Sequence, residues 1–213
     1  MKFSINQKDL KAVSYAMAKQ DIRYYLQGVN FEHNGKQTRL VATDGHRLHA
    51  VIREHEEGAL VDLVSFIMPL DMVKKCLSVK ALRQDKNPQI EITFETGKIQ
   101  AVLPDGSIIS QFAVDAKFPD YQRIVPSEDL EVSVSVFNPL YVSEAVKAYS
   151  EFMEYSLKSV PSIGIRPHGN NVGVLSCNGF TALIMPMRVE ISDKADQRLT
   201  KPMETPVKLQ AAA

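Results

Sequence analysis

One order of elements recurs three times along this chain, and that recurrence constrains the fold more than any single motif does. Residues 2–5 alternate apolar and polar side chains as a strand does, and Asn6 is placed to cap a helix with Leu10, Val13 and Met17 on one face. Three strand-like runs follow at 24–32, 38–43 and 48–53. They are joined by Asn34-Gly35 and Asp44-Gly45, pairs suited to the positive φ angles of tight hairpin turns. The order strand, helix, strand, strand, strand begins again near Leu60. It gives a strand through Met68, a helix opened by Pro69 and Asp71, and strands at 89–95, 98–103 and 107–114, with turns at Thr96-Gly97 and Asp105-Gly106. A third copy runs from Leu130, with a strand at 131–137 and a helix capped by Asn138 and started by Pro139. Its later strands are at 162–166, 172–177 and 180–188, with turns at Gly169-Asn170-Asn171 and Asn178-Gly179.

The turn glycines Gly45, Gly106 and Gly179 hold matching places, so this is an internal repeat and the class is α+β, three strand-helix-strand-strand-strand units. Units one and two follow closely enough to share one core. Residues 115–129 contain two prolines and read as a linker to unit three, and 191–213, polar and without periodicity, read as a flexible tail.

The outer faces of the first two helices are basic. Lys8, Lys11, Tyr15 and Lys19 lie opposite the apolar stripe of helix one. In helix two, Lys74, Lys75 and Ser78 lie opposite Met72, Val73, Cys76, Leu77 and Val79. Helix three breaks the pattern: behind an apolar stripe of Val142, Val146, Tyr149 and Met153 its outer face carries Glu144, Lys147 and Glu151. With 25 Lys plus Arg against 25 Asp plus Glu, the molecule as a whole has no field to hold a polyanion, so any nucleic-acid role rests on this local patterning.

The repeat also acts as a control on motifs. Asp44-Gly45 matches Asp105-Gly106 and Asn178-Gly179, so Asp44 is first of all a turn residue; what unit one adds is His46-Arg47-Leu48-His49. His46 and His49, three apart in a strand, point to opposite faces and suit no common metal ion. An acid/base pair of Asp44 and His46 is weak beside the turn reading of Asp44, no nucleophile elbow, Gly-rich phosphate loop or His-Glu-x-x-His is present, and the remaining carboxylates lack an acid/base partner, so no catalytic residue, cofactor or metal site is expected. Cys76 and Cys177, far apart among apolar neighbours, read as reduced buried thiols, and the absence of a signal-like or membrane-length apolar run predicts a cytoplasmic protein.

Four stretches in order carry a resemblance: Arg23-Tyr-Tyr-Leu-Gln-Gly-Val-Asn-Phe-Glu32, Val41-Ala-Thr-Asp-Gly-His-Arg-Leu48, Phe118-Pro-Asp-Tyr-Gln-Arg-Ile-Val-Pro126 and Met185-Pro-Met-Arg188. Together they resemble the bacterial DNA polymerase III beta-subunit family, the sliding clamps. Residues 1–126 resemble its complete middle domain and 130–190 the second half of its last domain, one and a half domains of the clamp fold. The resemblance implies a processivity factor that encircles duplex DNA without reading sequence. It also implies a hydrophobic pocket that docks short peptide motifs of polymerases, the clamp loader and repair proteins. The matching pocket positions are Leu26, Thr43, Gly45, His46, Arg47, Leu48, Pro119, Arg123, Ile124, Leu183, Met185, Met187 and Arg188; Lys8, Lys11, Lys19, Lys74 and Lys75 are the positions facing DNA.

Family rings contain twelve units, in three-domain dimers or two-domain trimers. Three units per chain therefore imply four chains, and a chain whose two ends differ pairs each end with its own kind, giving a tetrameric ring of D2 symmetry. The competing reading is a non-encircling clamp-like module, a decoy or inhibitor that competes for clamp partners. The acidic face of helix three is its support.

Overall fold

The computed structural model describes residues 1–55, 61–80, 87–124, 136–153, 165–167, 172–177 and 179–187. Arg188, the tail at 191–213, most of the strand at 131–137 and the turn at 169–171 lie outside the described residues.

Unit one consists of β1 (Lys2–Asn6), α1 (Gln7–Ser14), β2 (Gly28–His33), β3 (Gln37–Thr43) and β4 (Arg47–Glu54). Unit two repeats it as β5 (Val64–Pro69), α2 (Leu70–Ser78), β6 (Gln89–Glu95), β7 (Lys98–Val102) and β8 (Ile108–Phe112). Unit three is described as α3 (Pro139–Met153), β9 (Arg166–Pro167), β10 (Gly173–Cys177) and β11 (Phe180–Ile184). The matching turn glycines share a left-handed backbone, with φ of 89° at Gly45, 82° at Gly106 and 91° at Gly179. Asn6 caps α1, its side-chain oxygen accepting from Lys8 N–H at 2.8 Å, and Asn138 does the same for Leu140 N–H at 3.0 Å at the start of α3.

Units one and two exchange their first strands. β1 pairs with β6 of unit two, and β5 pairs with β2 of unit one, both antiparallel. The result is a four-stranded sheet ordered β1-β6-β7-β8 and a seven-stranded sheet ordered β5-β2-β3-β4-β11-β10-β9. Alternation in sequence gives the same pattern whichever strand lies alongside, which is why the exchange is invisible there. One buried core, including Phe31, Phe66, Leu10, Met72, Ile90 and Ile92, joins the helices to the inner faces of both sheets.

Several local expectations are corrected. The 24–32 run begins as a 3₁₀ turn at Tyr24–Leu26 before β2. Helix α1 ends at Ser14, so Lys19 is exposed beyond it and not on its face. In α3 the buried side is Ala145, Ala148, Tyr149 and Phe152, rotated from the expected stripe, because α1 and β11 pack against it from two directions. Residues 115–124 of the expected linker form a packed strap, and 125–129 lie outside the described residues. Phe118 is buried, and Tyr121 O–H donates to Glu32 Oε2 at 3.0 Å.

Candidate functional site: the seam between units one and three

Two strands far apart in sequence close the seven-stranded sheet. β4 and β11 run antiparallel with Leu48 opposite Leu183 and Ala50 opposite Thr181, and Met185 N–H continues the ladder by donating to His46 O at 2.9 Å. Strand alternation then sorts the side chains. Arg47, His49 and Val51 point to the helix side, while Leu48 and Ala50 point to the outer face with Val41 and Thr43 of β3 and Leu183 of β11.

On that outer face Val41, Leu48, Ile67, Phe118, Val172 and Leu183 form a second apolar cluster, separate from the main core. Strap residues Phe118 and Tyr121 cover one end, with rings in an edge contact 6.4 Å apart. At the other end Met185 and Met187 follow Leu183 at alternate positions and stay exposed, and Met187 N–H donates to Val136 O at 2.7 Å. Ile124 and Arg123 are exposed on the strap, where Arg123 Nε lies 2.8 Å from Asp120 Oδ2. The seam therefore holds a buried Leu/Val/Phe floor, with Met185 and Met187 partly exposed beyond Leu183. Flexible thioethers there suit an apolar surface that adapts to its ligand.

The turn beside it is heavily tied. Asp44 Oδ1 accepts from His46 N–H at 3.0 Å and Arg47 N–H at 3.1 Å, and Thr43 Oγ1 donates to Arg47 O at 2.6 Å. Arg23 reaches Asp44 O at 3.2 Å while binding Asp21, whose carboxyl that hydrogen bonding lowers to about 2. The φ of 89° favours glycine at Gly45, where a Cβ would also crowd the Arg23 guanidinium at 3.0 Å.

Of the pocket residues expected from sequence, Leu48, Thr43 and Leu183 lie together in the buried outer face, Met185 and Met187 are exposed beyond Leu183, Ile124 is exposed on the strap, and Gly45 sits in the exposed turn. Leu26 is buried and Pro119 exposed on the strap. His46 and Arg47 do not join Leu48 as one wall. Arg47 is turned to the helix side, where its guanidinium ion-pairs with Glu144 of α3, lies 3.1 Å from Asp44 Oδ2 and sits 4.6 Å over the Tyr141 ring. The exposed His46 ring lies 6.3 Å from the same tyrosine. Phe118, Ile67 and Val172 belong to the floor and were missed from sequence; the signal for Phe118 was its place beside Pro119 in the strap motif.

His49 is fully buried, with Nδ1 3.1 Å from Ala12 O, and burial lowers its pKa to about 4. It is a neutral core histidine. Burial likewise raises the Cys76 thiol to about 12, far from a reactive thiolate. Among the described residues no group of His, Cys, Asp and Glu is arranged to hold a metal ion, and no helix is long and apolar enough to cross a membrane.

On the helix side Lys74 and Lys75 project from α2 into solvent. Lys11 is exposed but bound to Glu151 of α3, Nζ to Oε1 at 2.6 Å. The acidic residues that set α3 apart are thus used across the seam, Glu144 by Arg47 and Glu151 by Lys11.

Residues 4–120 match the family model described as DNA polymerase III beta subunit, central domain. The beta sliding clamp of Pseudomonas aeruginosa is 37% identical over 130 residues, 59% of this chain and 34% of that protein. The beta sliding clamp of Escherichia coli is 32% identical over 146 residues, 67% of this chain and 38% of that protein. The matches thus span little more than a third of these relatives' length. Among solved structures, the DNA polymerase III beta subunit of Pseudomonas aeruginosa superposes with a TM-score of 0.70 at 22% identity, covering 89% of this chain and 67% of that one. The Thermotoga maritima subunit gives 0.70 at 18% identity, covering 89% and 66%. At that identity the likeness speaks for the clamp fold.

Proposed function

Starting from a chain that belongs to the DNA polymerase III beta-subunit family, we propose that it is a sliding clamp that encircles duplex DNA and docks polymerase, loader and repair proteins at the seam between units one and three. One observation carries this reading: β4 and β11 set Leu48 beside Leu183 in an outer-face apolar cluster, and exposed Met185 and Met187 follow Leu183 at alternate positions. A short peptide with two spaced Leu or Phe side chains would bury them on that floor, and exposed Arg123 of the strap, with Arg188 next in sequence after Met187, would meet its carboxylate or carbonyl oxygens. The clamp works by docking and positioning, with no bond made or broken.

The DNA side is the helix layer. Lys8, Lys74 and Lys75, with Lys11 and Lys19 nearby, supply phosphate contacts that attract without reading sequence, which sliding requires. Four chains close the ring, each end of a chain pairing with its own kind in D2 symmetry. The competing reading is a non-encircling module that takes its support from the acidic face of α3; the pairing of Glu144 with Arg47 and of Glu151 with Lys11 gives those carboxylates a role within the chain and so favours the clamp reading.

Two measurements test the reading. A fluorescein-labelled peptide carrying two spaced leucines should bind the chain and lose at least about tenfold in affinity with Met187→Lys, a charge set beyond Leu183. Equal binding by both proteins would remove the seam as the docking site. The native mass at physiological salt should be that of four chains; a single chain or a pair would refute the ring.

A further inference from the structure

Strand β8 ends the four-stranded sheet, and among the described residues nothing pairs with its free edge. Natural edge strands are usually blunted by charge, proline, a bulge or a covering segment, because an open edge templates pairing with another chain. β8, Ile-Ile-Ser-Gln-Phe, carries neither charge nor proline.

Its side chains strengthen the point. Ile109 and Gln111 face inward opposite Ala101 and Ile99, leaving Ile108, Ser110 and Phe112 on the outer face. The remainder of that outer face is mostly polar, with Lys2 and Ser4 on β1, Glu91 and Thr93 on β6, and Lys98 and Gln100 on β7, beside the half-buried Val102 opposite Ile108. Ile108 and Phe112 are nevertheless 63% and 68% exposed, so the apolar surface of this face is concentrated at its open edge.

The fold also contains a precedent for covering such an edge. β4, β8 and β11 are the last strands of their units, and two of them, β4 and β11, pair with each other, antiparallel. We propose that the third, β8, pairs antiparallel with β8 of a second copy of this chain, with Ser110 opposite Ser110 at the two-fold axis and Ile108 opposite Phe112 on either side. Two identical strands side by side and antiparallel are related by an axis normal to the sheet, so one residue must oppose itself. Centring on Ser110 is the one choice that pairs all five residues and covers both exposed apolar side chains. Any other centre leaves Ile108 or Phe112 outside the ladder. The interface deepens the proposed ring, in which each end of a chain pairs with its own kind, by naming the strand and register of one of its two like-to-like contacts.

Residues directly opposite in an antiparallel ladder have Cα atoms about 4.5 or 5.5 Å apart, within the range a disulfide spans. Mild oxidation of Ser110→Cys should therefore link chains into covalent pairs on a non-reducing gel, while the parent chain, with Cys76 and Cys177, stays single under the same treatment. Phe112→Lys should split the native assembly into species of half its mass, with an unchanged far-ultraviolet circular dichroism spectrum. If Phe112→Lys fails to fold, the cross-link alone decides. Covalent pairing in a protein whose native mass is two chains upholds the interface and refutes the ring. A four-chain mass that Phe112→Lys leaves intact, with no cross-link through Ser110→Cys, overturns the interface and leaves the ring standing. A single-chain native mass without cross-linking overturns both.

Discussion

The guanidinium of Arg47, at the start of the last strand of unit one, ion-pairs with Glu144 on the helix of unit three. Its neighbour Leu48 takes the opposite face and meets Leu183. One dipeptide thus closes the seam on both sides: leucine makes the outer floor, arginine braces the helix layer. The same guanidinium lies 3.1 Å from Asp44 Oδ2 and 4.6 Å over the Tyr141 ring, so the brace ties the turn of unit one to α3.

A double-mutant cycle over Arg47→Ala and Glu144→Ala, followed by urea denaturation, should give a coupling of about 1–3 kcal/mol, as for other contacting charged pairs. Additive losses would show that the Arg47–Glu144 pair does not help to join the two units. The single Arg47→Ala change should weaken the fold and leave peptide affinity close to the parent's, because Arg47 does not face the docking floor.

Acid should destabilise the protein through His49. Its folded pKa is near 4, pushed down by burial, against 6.5 for the free side chain. Between those values the unfolded chain takes up a proton that the folded chain refuses, so stability is fully retained above about pH 6.5 and falls as pH drops toward 4. The slope approaches about 1.4 kcal/mol per pH unit inside that window. His33, also lowered by burial and by nearby His55, acts in the same direction. Urea midpoints measured from pH 7.5 to 5 should decline for the parent and decline less for His49→Gln, whose amide can still donate to Ala12 O. Parallel declines would assign the effect to other groups.

Charge reversal at Lys74 and Lys75 should weaken DNA association and lower the salt slope of log K by about 1.8, close to 0.9 for each phosphate that is no longer neutralised. Lys11→Ala should do less, since that ammonium is already bound to Glu151. An unchanged slope for the Lys74→Glu, Lys75→Glu protein would remove α2 from the DNA-facing surface.

Much of this was legible in the sequence, and the failures have physical causes. Periodicity located the helices, and Asn6 and Asn138 marked two of their starts, because capping and amphipathicity are local. The glycine turns were readable for the same reason, Gly45, Gly106 and Gly179 all needing positive φ. What could not be read was decided at long range. Exchange of β1 and β5 leaves each strand's own alternation unchanged. The rotated stripe of α3 reflects packing against α1, a neighbour from another unit. Likewise Phe118 looked like part of a linker because nothing local tells that the outer face of a sheet is waiting beneath it. At the site, Leu48, Leu183 and the two methionines were readable from the motif, whereas the separation of Arg47 from Leu48 follows from strand alternation applied one residue past the turn.

The most direct test of the central claim is retention on closed circular DNA. After loading with a clamp loader, the protein should co-elute with nicked circles on gel filtration at high salt and be released when a restriction enzyme cuts the circle, because a ring slides off an end. Release from intact circles at the same rate as from linear DNA would contradict encirclement and leave a surface-bound docking module.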